Sequence, residues 1–209
     1  MSMRNLNGSG TLTTFSTPTV TIQASTTPIS ADIGLNGGTL QIGATGITQT
    51  FASTSTVTLF GNGFDFPGGN LAFLENSVFD AGAQLNRSVS LFFGRPSVAA
   101  GKTLTFQGGS DFNITGDYIF SPDCDIVVTG AGSQMVTSGS IFIAQSAVLS
   151  VQNGGLFNSG ALDVGQTGSG DLFVNGPGSA MTVGARTTLH SGTVTFSNEA
   201  QVNCSPTSR

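Results

Sequence analysis

Charge is what this 209-residue sequence has least of. Asp, Glu, Lys and Arg make up 8% of it, where an ordinary soluble domain carries about 25%. Lysine occurs once (Lys102), histidine once (His190), glutamate twice (Glu75, Glu199), and tryptophan not at all. Each shortage excludes something. With few Glu, Lys, Arg, Gln or Met, helices would lack both intrinsic propensity and charge pairs at i,i+4. The six cations, Arg4, Arg87, Arg95, Lys102, Arg186 and Arg209, form no basic stripe. Binding to nucleic acid or to an anionic membrane is therefore not expected. A single histidine leaves too few ligands for a zinc site within one chain. No run reaches the roughly 18 apolar residues of a membrane-spanning helix, so no membrane insertion is expected of this segment. Met1–Gly10 has no apolar stretch of the kind a secretory signal needs, and the chain reads as cut from a longer precursor. The two cysteines, Cys124 and Cys204, make no disulfide framework; they read as a buried small residue and a tail thiol.

What is present is small and turn-forming. The chain has 30 Gly, 27 Thr, 25 Ser and 13 Asn, close to half of all residues. Yet 38% of residues are hydrophobic and 16 are Phe, which supplies enough apolar area to exclude disorder. Short alternations such as Thr39-Leu40-Gln41-Ile42, Thr56-Val57-Thr58-Leu59, Leu71-Ala72-Phe73, Ser90-Leu91-Phe92-Phe93 and Thr103-Leu104-Thr105-Phe106 predict strands with one apolar face. Gly, Asn and Asp clusters between them supply turns. Residues 1–30 are Thr/Ser-rich and fit one or two edge strands, a linker or a cap.

A repeat is visible towards the C-terminus. Val128-Thr129-Gly130-Ala131-Gly132-Ser133-Gln134-Met135 matches Val174-Asn175-Gly176-Pro177-Gly178-Ser179-Ala180-Met181, 46 residues on. Val151–Phe157 matches Phe196–Val202, 45 residues on. Periods of this size point to solenoids or propellers. A propeller needs longer strands and a recurrent aromatic signature, so the unit reads as two coils of half its length. The expected fold is all-β: a right-handed parallel β-helix (β-solenoid), a single elongated domain over residues 31–202. The clearest repeats lie in 125–202, and residues 203–209 form a tail. Coils about 4.8 Å apart would build a rod on the order of 40 Å long. Its open ends must be capped, paired or continued.

The segment Gly160-Ala161-Leu162-Asp163-Val164-Gly165 through Gly170-Asp171-Leu172-Phe173-Val174, Gly176-Pro177-Gly178-Ser179 and Thr182-Val183-Gly184 resembles the type V secretion/PEP-CTERM-associated repeat. A weaker copy covers about Ile126 to Phe157. The resemblance implies an autotransporter passenger-like β-helix, secreted or on a bacterial cell surface. It carries no catalytic residues over. The first 120 residues share the style without the motif, and the family's signal peptide, translocator barrel and sorting tail are not in the sequence.

Candidate chemistry is sparse. Asp111, Asp117, Asp123 and Asp125 are the only acidic cluster that could serve acid/base or Ca²⁺ work on a polysaccharide. Asp123 and Asp125, alternating about Cys124, would point to one side of a strand and could share a cation; the plainer reading is a solvated turn after Ser121-Pro122. Gly61-Asn62-Gly63-Phe64-Asp65 partly matches a Ca²⁺-binding nonapeptide, but a single copy is turn chemistry. His190 could join a Ser-His-Asp triad, though no nucleophile-elbow sequence is present; it reads as a surface corner residue. Thr-x-Thr pairs at Thr11/Thr13, Thr17/Thr19/Thr21, Thr56/Thr58, Thr103/Thr105 and Thr193/Thr195 do not recur at a fixed coil spacing, as an ice-binding face would require. Four sequons (Asn7, Asn86, Asn113, Asn203) are expected by chance in such a composition.

The expected role is structural: a passenger, stalk or adhesin-like segment without catalysis or cofactor. Its partner would be a surface glycan or protein receptor, and the chain would be a monomer or associate end to end. The alternatives are a carbohydrate-active β-helix (polysaccharide lyase or hydrolase) and a tailspike-like receptor-binding protein.

Overall fold

The computed structural model describes residues 2–3, 11–14, 19–23, 27–35, 39–43, 46–52, 55–60, 70–88 and 96–205. Strands are the only regular elements among them. In chain order they are β1 (Ser2–Met3), β2 (Thr11–Thr14), β3 (Thr19–Ile22), β4 (Asp32–Leu35), β5 (Thr39–Ile42), β6 (Gln49–Phe51), β7 (Thr56–Phe60) and β8 (Asn70–Phe73). Next come β9 (Ser77–Phe79), β10 (Gln84–Ser88), β11 (Pro96–Val98), β12 (Thr103–Phe106), β13 (Asp111–Ile114), β14 (Tyr118–Ile119), β15 (Asp125–Thr129) and β16 (Gln134–Thr137). The last are β17 (Ser140–Ile143), β18 (Ala147–Gln152), β19 (Leu156–Ser159), β20 (Ala161–Val164), β21 (Gly170–Asn175), β22 (Ala180–Val183), β23 (Thr187–Leu189), β24 (Gly192–Ser197) and β25 (Gln201–Cys204).

Every pair is parallel, and each strand pairs with the equivalent strand of the next coil. The result is a β-solenoid of about seven turns, one elongated domain. A long wall of nine strands runs from β2 to β25, and a second wall of seven from β6 to β24. The third side is split into β1-β3-β5-β8-β11 and β14-β17-β20-β23. Pro96 opens β11 and has no N–H to give a ladder. The gap is bridged by side chains: the Tyr118 hydroxyl donates to the Pro96 carbonyl at 2.9 Å, and Val98 N–H donates to Ser121 Oγ at 3.1 Å.

The register explains the repeat seen in the sequence. Val128 lies beside Val151, and Val151 beside Val174. The 46-residue match therefore spans two rungs of 23. Rungs elsewhere vary from 19 residues (Ser2 beside Thr21) to 31 (Thr39 beside Asn70). Unequal corners absorb the difference, so strands stay aligned while the sequence period does not. Residues 11–14 and 19–22 already pair in the long and third walls. At the other end β25 includes Asn203 and Cys204.

Alternate residues point inward, as in the buried/half-buried pattern of β15 and β18. Inward positions stack rung on rung. Along the second wall the column runs Phe51, Phe79, Phe106, then Val128, Val151, Val174. The Phe51 and Phe79 rings stack at 4.3 Å, and Phe79 and Phe106 at 5.0 Å. Those distances match the spacing between neighbouring strands, so the ladder itself sets the rings at stacking distance. The outer surface is less uniformly Thr and Ser than alternation suggests: Val78, Val127, Val148 and Phe173 face outward on the second wall.

Candidate functional site

The four aspartates do not converge. Asp111 opens β13 on the long wall, beside Gln84 and Gln134. Burial raises its carboxyl above the ordinary range, opposed by a hydrogen bond with Gln134. Asp117 stands at the next corner, and Asp123 at the one after that. Asp125 opens β15 on the second wall. Asp123 lies outside β15 in the left-handed region, at φ 53°. It therefore does not alternate with Asp125 along one strand, and the shared-cation geometry is not formed. Its backbone closes a corner, N–H to Gln145 O at 2.9 Å and C=O from Gly101 N–H at 2.7 Å. Among the described residues no three His, Cys, Asp or Glu side chains group so as to hold a metal ion.

Several acidic and amide side chains instead tie rungs together. Asp117 Oδ1 accepts the N–H of Ser140 on the next rung at 2.7 Å. Asp32 does the same for Thr56, Asn76 for Thr103, and Asp171 for Thr193, all at 2.8–2.9 Å. Serine works in the opposite direction. Ser133, Ser138 and Ser179 Oγ each accept an N–H from a glycine corner of the preceding rung at 3.0 Å. These groups satisfy corner donors that the ladder does not reach.

His190 sits on Asp163. Its Nε2 lies 3.2 Å from Asp163 Oδ2, linking the last rung to the one before. Asp163 is buried at 7% exposure, and its Oδ1 has no hydrogen-bond partner among the described residues. The structure thus forms an Asp–His pair, but among the described residues no serine is bonded to His190 to complete a triad. Both cysteines are free thiols, Cys124 buried and Cys204 exposed on β25. Desolvation pushes the Cys124 thiol up to about 11.

One residue that sequence reasoning passed over is Arg87. It occupies an inward position between Leu59 and Ile114 and is 2% exposed. Its Nη1 donates to the carbonyls of Thr115 (3.3 Å) and Asp117 (2.8 Å). Beside it, on the long wall, a half-open cleft of about 430 Å³ is lined by Asn86, Asn113, Val136 and Ser138 among others. The Asn113 amide donates to Asn86 Oδ1 at 3.0 Å, so two sequon asparagines form an amide ladder between rungs. A sign was available: Arg87 falls on the apolar phase of Leu85-Asn86-Arg87.

The Thr-x-Thr pairs do not stack. Thr56 and Thr58 lie beside Gln84 and Asn86, Thr103 and Thr105 beside Asp125 and Val127, and Thr193 beside Asp171. Gly61–Asp65, Asn7 and Thr17 lie outside the described residues, as do Leu91–Phe93. No family model, no curated protein and no solved structure matches the chain.

Proposed function

We propose that the chain is a structural passenger or stalk segment of a bacterial surface or secreted protein, with the long wall as its adhesive face. The supporting observation is that wall's continuity. Nine parallel strands carry one register from β2 to β25. On its outer side two columns of hydroxyl, amide and carboxylate groups run together: Thr56, Gln84, Asp111, Gln134, and Thr58, Asn86, Asn113. Such a strip presents many weak hydrogen-bonding groups at rung spacing. It suits a repetitive, neutral partner such as a surface glycan, whose hydroxyls recur along a chain. The residue 125–202 motif supports surface location by its resemblance to exported repeats.

The test is retention of protein-coated beads on immobilised glycans. The expected result is binding that falls when Asn86→Ala, Asn113→Ala and Gln134→Ala are combined and survives substitutions on the second wall. A parallel screen measures cleavage of acidic and neutral polysaccharides with and without Ca²⁺. Cleavage that is lost in Asp117→Asn or Asp125→Asn would replace this reading with a polysaccharide-degrading enzyme.

A further inference from the structure

The outer column of amides on the long wall is broken at one place. Register sets Asn86, Asn113, Val136 and Asn158 side by side on successive strands, β10, β13, β16 and β19. Asn113 Nδ2 donates to Asn86 Oδ1 at 3.0 Å, and Asn86 Nδ2 donates to Gln84 Oε1 at 3.4 Å. A carboxamide carries its donor and its acceptor on opposite edges. With Nδ2 turned to β10, Asn113 Oδ1 faces β16. There the ladder would need another amide N–H, and Val136 has none to give. Among the described residues no hydrogen bond reaches Asn113 Oδ1.

The half-open cleft of about 430 Å³ lies at this break, with Asn113, Ile114, Thr115, Val136 and Ser138 in its lining. Its size is at the small end of the range for small-molecule sites, about 300–1,000 Å³. Val136 is half-buried and Ile114 buried, so the seat beside the open acceptor is apolar. Thr115 and Ser138 are exposed and bring hydroxyls to the rim. Ser138 Oγ accepts the Gly116 N–H at 3.0 Å, which leaves its own O–H to donate. No carboxylate lines the cleft, and the Arg87 guanidinium is turned to the corner carbonyls of Thr115 and Asp117. The lining therefore suits a neutral group with an N–H, a carbonyl and a small apolar end.

We infer that this cleft is a subsite for an N-acetylated hexosamine. The inference rests on the adhesive reading of the long wall and narrows it to a glycan that carries acetamido groups. The acetamido N–H donates to Asn113 Oδ1, its carbonyl accepts from Ser138, and its methyl lies on Val136 and Ile114. Thr115 meets a ring hydroxyl. A plain hexose brings no methyl to the apolar seat. A peptide link offers the same N–H and carbonyl but no ring hydroxyls for the rim.

Saturation-transfer difference NMR on the 209-residue chain tests the subsite, with N-acetylglucosamine, N-acetylgalactosamine, glucose, galactose and N-acetylglycinamide as probes. The two N-acetylated sugars should bind with dissociation constants on the order of 1 mM, as suits a single sugar in a half-open cleft. Their acetyl methyls should take up the most saturation. Val136→Asn supplies the missing amide, which occupies Asn113 Oδ1 and removes the apolar seat. It should weaken binding at least about tenfold, while Gln152→Ala on the second wall leaves binding unchanged. Circular dichroism matching the parent shows that Val136→Asn folds, and the methyl saturation on the parent chain needs no variant. Equal binding of glucose or N-acetylglycinamide, or acetyl methyls saturated no more than ring protons, would overturn the subsite. If immobilised glycans without acetamido groups then still retain the chain, the adhesive reading stands alone. If no glycan retains it, both fall.

Discussion

Arg87 shows what a single residue can do in a core this repetitive. Its column holds Leu59 and Ile114 on either side, yet the guanidinium takes up two corner carbonyls. Truncation removes packing and leaves those carbonyls short of donors. Arg87→Ala should therefore lower the unfolding free energy by about 3 kcal/mol, read by urea denaturation. A loss under about 1 kcal/mol would mean that water replaces the guanidinium. The thiols give a second residue-scale check. At pH 8 a disulfide reagent should titrate Cys204 promptly and Cys124 only on unfolding, because Cys124 is buried and remains a thiol. The same shift has a consequence for stability. The folded chain holds the Cys124 proton to about 11, whereas an ordinary thiol releases it near 9.0. Folding thus favours the protonated form. Stability from this group is intact below pH 9 and falls as pH rises towards 11, which thermal melts against pH would show.

At the scale of the element, corners rather than strands carry the specific information. Gly165 has φ +78°, and a Cβ there would overlap the Ser191 carbonyl on the next rung. Gly109 has φ +83°, but a Cβ there would meet nothing within 4 Å. Gly109→Ala should therefore cost about 1 kcal/mol of left-handed strain, and Gly165→Ala clearly more, because rungs must part to admit the methyl. Equal melting temperatures for the two variants would contradict this rung packing. The strand sides were readable because alternation reports one buried face, and Thr103–Phe106 and Thr39–Ile42 fall where the pattern put them. The corner chemistry was not. Asp117 reads as a candidate acid in sequence, since nothing local shows that its carboxylate will meet Ser140 N–H one rung away. Asp123 fails as a partner for Asp125 for a similar reason: its positive φ turns the chain before the strand begins.

For the whole molecule, the scarcity of charge becomes a statement about what holds it together. Among the described residues Lys102–Glu75 is an ion pair and His190 is hydrogen-bonded to Asp163. Ladder bonds and stacked apolar columns do the rest, and neither depends on screening. Raising NaCl from low to molar concentration should shift the melting temperature by no more than about 2 °C, since exposed pairs contribute at most about 1 kcal/mol each. A fall well beyond that would mean that unrecognised charge pairs bind the rungs. What composition and periodicity determined alone was the class of the molecule. Short apolar alternations and abundant Gly, Asn, Ser and Thr suffice for a parallel solenoid, because each rung needs only one inward face and permissive corners. The three-dimensional stacking decided which residues become neighbours. Residues 19 to 31 apart meet at strand spacing through corners of unequal length. That non-local register spreads four aspartates around the turn and buries Arg87 among leucine and isoleucine.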